Sequence, residues 1–575
     1  MKRLWQTLRS YRIEAILGPF FKLLEALFEL FVPLVVADTI DRGIANGDRA
    51  LIVSRFLILI ALGVIGIVCS VTAQYFAAKA SVGTATRLRH DLYVHIQRLS
   101  FSDLDKTGTP TLITRLTGDV NQVQNGLNLA LRLLLRSPFV VFGAMIMAFT
   151  LDGRSALIFL GVIVLLAVVV AAVMSLSVPA FRTVQGKLDE LTGTTRENLT
   201  GARVIRAFGM EASERAKFAD SNDALNRAEQ RAGRISALMN PLTYVILNIG
   251  IVVLLWFAGK RVNAGTLTTG ETVALYNYMT QILVELIKFA NLIVSISKAV
   301  TCMKRIDDVL TMEPGMQWSG EPVTDDKSAP VIEFHSVSLR YADGGDDALT
   351  DLTFSIDRGE TVGIIGGTGS GKTSLVNLIL RFYDASDGEV LVGGVNVRDY
   401  PAEQLRDRIG YVLQRARLTS GTIRENLTAG RQNVTDDELV EAIHAAQADN
   451  ILAAKENGLD SAVEQNGRNF SGGQRQRLTI ARALVRRPEI LILDDSASAL
   501  DLATDAALRR AIRELAYHPT TLIVSQRTAS IRDADKILVL DDGRLVGIGT
   551  HESLLETCEV YREIEESQTK KEAVR

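Results

Sequence analysis

Apolar residues gather into long runs before about residue 300 of this chain, and break into short alternating stretches after about residue 330. A bilayer hydrocarbon core about 30 Å thick takes roughly 20 helical residues to cross. Six runs approach or exceed that length: 13–37, 51–78, 132–150, 155–178, 240–259 and 270–299. The fourth, which contains ALIFLGVIVLLAVVVAAVMSL, is the cleanest. The third is the weakest, because Arg132 and Arg136 stand at its start. These two are expected to mark the membrane edge, with their stems snorkelling.

Lys2, Arg3, Arg9 and Arg12 precede the first run and predict a cytoplasmic N-terminus. Leu4, Trp5, Leu8 and Tyr11 recur beside them at helical spacing, as in a segment lying along the interface. The connections after the second and fourth runs are long, polar and Arg-rich, and read as helices continued into the cytoplasm. Six crossings then return the chain to that side. Lys22, Glu25 and Glu29 share one face of the first predicted helix, and Glu285 and Lys288 are similarly related in the last. Two readings stay open: a water-filled path lined by these groups, or ion pairing between helices. Asp38 and Asp41 close the first run and are expected to be solvated rather than to latch a gate.

Composition adds exclusions. A chain of 575 residues implies several domains, and a net charge of −3 provides no basic field for nucleic acid. Cys69, Cys302 and Cys558 match no metal spacing and read as buried apolar residues. The first apolar run carries charges and no small-residue cleavage pattern, so it does not read as a signal peptide.

From Val331 the chain turns β-rich and reaches TVGIIGGTGSGKTSLVNLI. Gly366, Gly371, Lys372 and Thr373 have the spacing GxxxxGK[ST], with an apolar strand before and a helix after. Glycines let backbone N–H groups wrap a phosphate, and the helix N-terminus adds positive potential. Gly366, Gly367, Thr368, Gly369, Ser370, Gly371, Lys372, Thr373 and Ser374 are therefore the candidate nucleotide contacts. Lys372 would reach the β- and γ-phosphates, and Thr373 would ligate Mg²⁺. Further on, FSGGQRQRLTIARAL opens a helix at Ser471, Gly472 and Gly473, a second anion site. It is followed by LILDDSASALD, an apolar strand ending in Asp494, which is placed to bind Mg²⁺ or its water.

In this order, the motifs make the chain resemble a half-size ATP-binding cassette exporter along essentially its whole length. The resemblance implies a six-helix membrane domain of the type I exporter (type IV transporter) fold over 1–310, a linker over 311–330, and an α/β phosphate-loop domain over 331–575. It implies ATP and Mg²⁺ as cofactors. Tyr341 matches the aromatic residue that stacks on adenine, and Gln414 the glutamine that contacts Mg²⁺ and senses the membrane domain. Ser471, Gly472, Gly473 and Gln474 match the signature motif, and Asp501 the loop crossing between paired domains. Segments near Ser100–Gly108 and Gly201–Phe208 resemble the coupling helices that dock on the ATPase domains.

Two positions depart from the family. Asp495 stands where a glutamate polarises the attacking water, and Gln526 where a histidine contacts the γ-phosphate; His551 is a different position. The Asp495 carboxylate sits about one C–C bond, roughly 1.5 Å, further back. The resemblance therefore implies a site that holds ATP and cleaves it poorly, in a heterodimer with a related half-exporter whose active site this chain's signature completes. A slow homodimer and an ATP-gated, channel-like protein are the alternatives. The substrate would be a drug, lipid or peptide, the partners would include membrane lipid and no nucleic acid, and the setting would be a bacterial cytoplasmic membrane.

Overall fold

The computed structural model describes residues 2–341 and 345–573, with the side chains of residues 2, 497 and 569–573 outside the described part. It divides into two compact units: Met1–Gln97 with Pro110–Met312, and Arg98–Thr109 with Glu313–Arg575.

The first unit is helical. Five helical stretches among its described residues are long and apolar enough to cross a membrane: Arg49–Ile96, Thr109–Leu151, Gly153–Thr200, Glu211–Asn263 and Thr269–Leu310. The helix Arg12–Asp38 covers the first apolar run, and at 1.5 Å per residue its 27 residues are about 40 Å long. It too is long enough to cross, but carries Lys22, Glu25 and Glu29. The helices Arg49–Ile96 and Gly153–Thr200 have 48 residues each, about 72 Å, more than twice a hydrocarbon core. The polar stretches that follow the second and fourth runs are thus continuous with them. The first helix packs along the second where Ala73 and Ala77, both fully buried, face Gly18. Small residues at such a contact let two backbones approach closely.

Charges inside the helices are paired between and along them. Arg136 is 7 % exposed, and donates to Glu285 Oε1 at 2.5 Å and to Glu29 Oε2 at 2.6 Å. Ser137 Oγ donates to Glu285 Oε2 at 2.8 Å, and Lys288 Nζ to Glu285 Oε1 at 2.9 Å. Lys22 Nζ donates to Glu25 at 2.6 Å and to Ser70 Oγ at 3.1 Å. This corrects the expectation for Arg136: it does not snorkel, because two carboxylates on neighbouring helices offset the cost of burying its guanidinium. The expectation for Asp38 and Asp41 is corrected as well. Asp38 pairs with Arg55 at 2.7 Å, and Asp41 accepts from Thr268 Oγ1 at 2.5 Å and Gly270 N at 2.7 Å. Carboxylate acceptors beside an arginine and at the N-terminus of the last helix are held rather than left to solvent. Cys69, Cys302 and Cys558 are free thiols in buried positions.

The second unit is built on a six-stranded sheet in the order 544–549, 536–541, 361–366, 520–524, 490–494 and 409–412, parallel except for its first strand. Its strands feed two cores by alternation. Ile490 and Ile492 join the core shared with Ile332–Leu339 and Leu349–Ile356, and Leu491 and Leu493 the core against the helix Gly472–Leu484. Those two strands, with Asp387–Val392 and Val395–Asn396, form a separate antiparallel sheet.

The segment Phe101–Thr107 is a helix belonging to this second unit. Ser100 and Asp103 form a capping box at its start, and Asp103 also accepts from Gly315 N at 2.9 Å. Burial raises the Asp103 carboxyl, but the bonds from Ser100 and Gly315 outweigh it and leave it below the usual range. The Phe101 ring lies 4.7 Å from that of Phe382, and Tyr383 donates its hydroxyl to Asp105 at 2.6 Å. Residues 313–330 fold onto the same unit, where Trp318 stacks between Arg381 at 4.5 Å and Arg406 at 4.9 Å. The other candidate coupling segment is the helix Ala202–Ala207 in the first unit, flanked by an exposed Phe208.

Candidate nucleotide site

In a parallel sheet, ligands bind beyond the carboxyl ends of the strands. Strand order here brings four such ends together. Thr361–Gly366 runs into the phosphate loop, Thr520–Val524 into Gln526, Ile490–Asp494 into Asp495, and Ile409–Val412 into Gln414. They line one cleft of about 290 Å³, with Thr368, Gly369, Gly371, Lys372, Thr373, Ser374, Asp494 and Ser525.

The phosphate loop ends at Gly371, whose φ of +93° favours glycine and whose absent Cβ would fall 2.5 Å from Leu349. The helix Lys372–Ile379 begins there, its free N–H groups facing the cleft end. Lys372 is folded back on the loop, donating to Gly366 O at 2.9 Å, Gly367 O at 2.6 Å and Ser370 Oγ at 3.2 Å. Burial pushes its ammonium down, while Asp495 and Asp494 pull it up. A buried cation held only by neutral oxygens suits an incoming anion.

Asp494 is 2 % exposed and accepts from Tyr411 at 3.2 Å and Thr373 Oγ1 at 3.4 Å. Burial pushes its carboxyl up, and those two bonds partly reverse the shift. The hydroxyl of Thr373, the amide oxygen of Gln414 and this carboxylate are hard oxygen donors of the kind Mg²⁺ takes beside phosphates and water. Asp495 has a φ of +46°, with its N–H bonded to Val524 O at 2.9 Å, and its carboxylate accepts from Gln414 Nε2 at 3.4 Å. Gln526 is exposed on the cleft. Its backbone carbonyl accepts from Gln568 Nε2 at 2.8 Å, and Gln568 Oε1 accepts from Thr528 N at 3.1 Å. His551 is buried elsewhere, bonded to Tyr561 at 2.7 Å.

Among the described residues Gly366, Gly367 and Ser370 do not line the cleft themselves but hold Lys372, and Tyr341 and Ser471–Gln474 stand apart from the lining. Tyr341 donates to Ser374 Oγ at 3.0 Å and packs edge-on to Tyr383. Ser471 and Gln474 cap the helix Gly472–Leu484 reciprocally, and a Cβ on Gly473 would lie 3.1 Å from Ala499 O. None of Ser471–Gln474 lines the phosphate cleft among the described residues. Sequence reasoning passed over Tyr411 and Gln568. Tyr411 stands in the YVLQ stretch that supplies Gln414, so its place on the same strand end was a usable signal. Gln568 sits in a polar terminal helix, Glu559–Ala573, with no local sign of a role.

Residues 15–286 match the ABC transporter transmembrane region, and residues 349–498 match the ABC transporter family proper. The chain is 36% identical over 568 residues to an uncharacterized ABC transporter ATP-binding protein of Mycobacterium tuberculosis, covering 98% of this chain and 97% of the relative. A fatty acid ABC transporter ATP-binding/permease protein of Mycobacterium bovis is 35% identical over 478 residues, covering 83% of this chain and 75% of its own. The solved structure of a bacterial Atm1-family ABC exporter with ATP bound superposes with a TM-score of 0.80 at 22% identity, covering 98% of both chains, a likeness of fold. The chain belongs to the ABC transporter family, with the transmembrane region and the ATP-binding region fused in one polypeptide.

Proposed function

We propose that this chain is one half of an ATP-driven exporter of amphipathic substrates, and that its other half is a related but non-identical chain. The observation that carries the reading is the mixed character of one cleft. Its lining brings Thr368, Gly369 and Gly371–Ser374 of the phosphate loop together with Asp494, and we read Asp495 and Gln526 as standing where the family carries its water-polarising and γ-phosphate-sensing residues. Losing a well-placed general base lowers a rate by about 10²–10⁴, roughly 3–5 kcal/mol of barrier. Binding is left whole, so the cleft should retain nucleotide and turn it over slowly.

The signature residues support the need for a second chain. Ser471 opens a helix whose N-terminus suits an anion, yet Ser471–Gln474 stand outside this chain's own phosphate cleft. In the proposed pair they close over the nucleotide of the partner, where Glu and His perform the hydrolysis. When bound, Mg²⁺ would neutralise charge on the transferring phosphoryl group; Lys372, Thr373 and Asp494 would hold that end of the nucleotide, and Tyr341 its base. The cytoplasmic bacterial membrane is the proposed setting, and the fatty acid transporter among the relatives favours a lipid-like cargo.

The chain purified alone should show little ATPase activity, and mixing it with a related half-transporter bearing Glu and His should restore it. Substitution of Asp495→Glu with Gln526→His should raise hydrolysis at this cleft. Robust turnover by the unmixed parent chain would overturn the heterodimer.

A further inference from the structure

A second cleft, of about 450 Å³, lies in the membrane unit between the helices Arg12–Asp38 and Thr269–Leu310. Its walls combine apolar and ionic groups. Val32, Val36 and Val284 supply hydrocarbon surface, and Glu29, Gln281 and Lys288 supply polar groups.

The ionic groups are balanced but incompletely used. Glu29 and Glu285 are matched by Arg136 and Lys288, so the cleft carries no net field that would select a ligand of one sign. Glu285 is saturated by Arg136, Ser137 and Lys288 and is 3 % exposed. Glu29 gives one oxygen to Arg136 and leaves its side chain 41% exposed; Lys288 donates to Glu285 and is 47% exposed. One carboxylate edge of Glu29 and the remaining protons of the Lys288 ammonium therefore face the same space. Gln281 lines the same cleft, and its Oε1 is buried without a hydrogen-bond partner among the described residues. A buried acceptor left unpaired is costly, so a donor arriving there is rewarded.

We propose that this cleft binds the headgroup of a zwitterionic amphiphile. Its ammonium sits between Glu29 and the Gln281 carbonyl, its anionic group at Lys288, and its hydrocarbon chain along Val32, Val36 and Val284. The assignment rests on the exporter reading for its purpose, as the site from which substrate is carried, but its chemistry is tested separately.

The full chain in maltoside micelles is titrated at neutral pH with radiolabelled dodecylphosphoethanolamine, dodecylammonium and dodecyl phosphate. The zwitterion should bind at least about tenfold tighter than either probe that carries one sign of charge only, about 1.4 kcal/mol. Lys288→Met should erase its advantage over dodecylammonium, and Glu29→Gln its advantage over dodecyl phosphate. Gln281→Leu should weaken both ammonium probes and spare the phosphate. Opposite changes in selectivity cannot arise from misfolding, which weakens all three probes together. Equal binding of the three, or selectivity unmoved by Lys288→Met and Glu29→Gln, overturns the site. Selective binding without ATP-driven uphill movement in vesicles would leave the site standing and remove the exporter reading; uphill movement of another substrate without selectivity would do the reverse.

Discussion

Replacing Arg136 by methionine gives the sharpest test of how the membrane unit is held together. Methionine approximates the stem of arginine and removes the guanidinium, which is 7 % exposed and bridges Glu285 and Glu29. Breaking a buried pair by deleting one partner costs about 3–5 kcal/mol, because the other charge stays buried. The lower end applies here. Glu285 keeps Ser137 at 2.8 Å and Lys288 at 2.9 Å, and Glu29 can hydrate through the cleft. At about 2 °C per kcal/mol for a unit of this size, a loss near 3 kcal/mol lowers the melting midpoint by about 6 °C. Unfolding of a multidomain membrane protein is scan-rate dependent, so parent and variants are compared at one fixed rate, by intrinsic fluorescence in the same detergent. The decisive control is Arg136→Met with Glu285→Met. Exchanging both members of a buried pair for apolar groups is often neutral or stabilising, so the double variant should melt within about 2 °C of the parent. A single variant that melts like the parent would refute the reasoning. So would a double variant as unstable as the single one.

Two further outcomes follow from the ATPase unit. Asp103→Ala removes the cap of the helix Phe101–Thr107 and its bond to Gly315, and should cost about 1–2 kcal/mol in thermal or urea unfolding. Because the Asp103 carboxyl is held below its usual range, its contribution is present above that range and lost as pH falls through the folded value. The gap between parent and variant should therefore be constant near neutrality and close in acid. Asp494→Asn should behave oppositely. Burial holds the Asp494 carboxyl above its usual range, so stability is lost as pH rises through the folded value, and the asparagine variant should melt higher at neutral pH. That advantage should shrink on acidification, while Mg²⁺-dependent nucleotide retention, read by filter binding, is lost at all pH values.

What the sequence disclosed and what it hid divide by range of interaction. The phosphate loop was legible because its geometry is local: a strand, a left-handed glycine and a helix start within a dozen residues. Asp494 and Gln526 were legible through their motifs, and the parallel register of Ile490–Asp494 with Thr520–Val524 delivers them to one edge. Arg136 was misread because an arginine at the start of an apolar run looks the same whether it ends at the interface or enters the bundle. Its partner Glu285 lies 149 positions away, and no periodicity links them. Asp41 bonds Thr268 across 227 positions and was misread for the same reason. Pairings of this kind are properties of helix neighbours, which a single helix pattern does not encode.

The same distinction bears on the proposed division of labour. In that proposal, holding a nucleotide depends on a contiguous loop and one buried carboxylate, and both lie within this chain. On the proposed reading, cleaving it depends on a carboxylate within hydrogen-bond reach of the attacking water, and on a signature that stands outside the same cleft. Shortening Glu to Asp touches only the second requirement, since Asp495 sits at the cleft beside Gln414 without contributing to the loop that grips phosphate. Retention and turnover are thus separable by mutation. Lys372→Ala should abolish retention at this cleft, whereas Asp495→Asn should leave retention intact and change an already low turnover little. If Asp495→Asn instead removes most of the hydrolysis in a mixed preparation, the slow cleft is this protein's working site and the partner's is not.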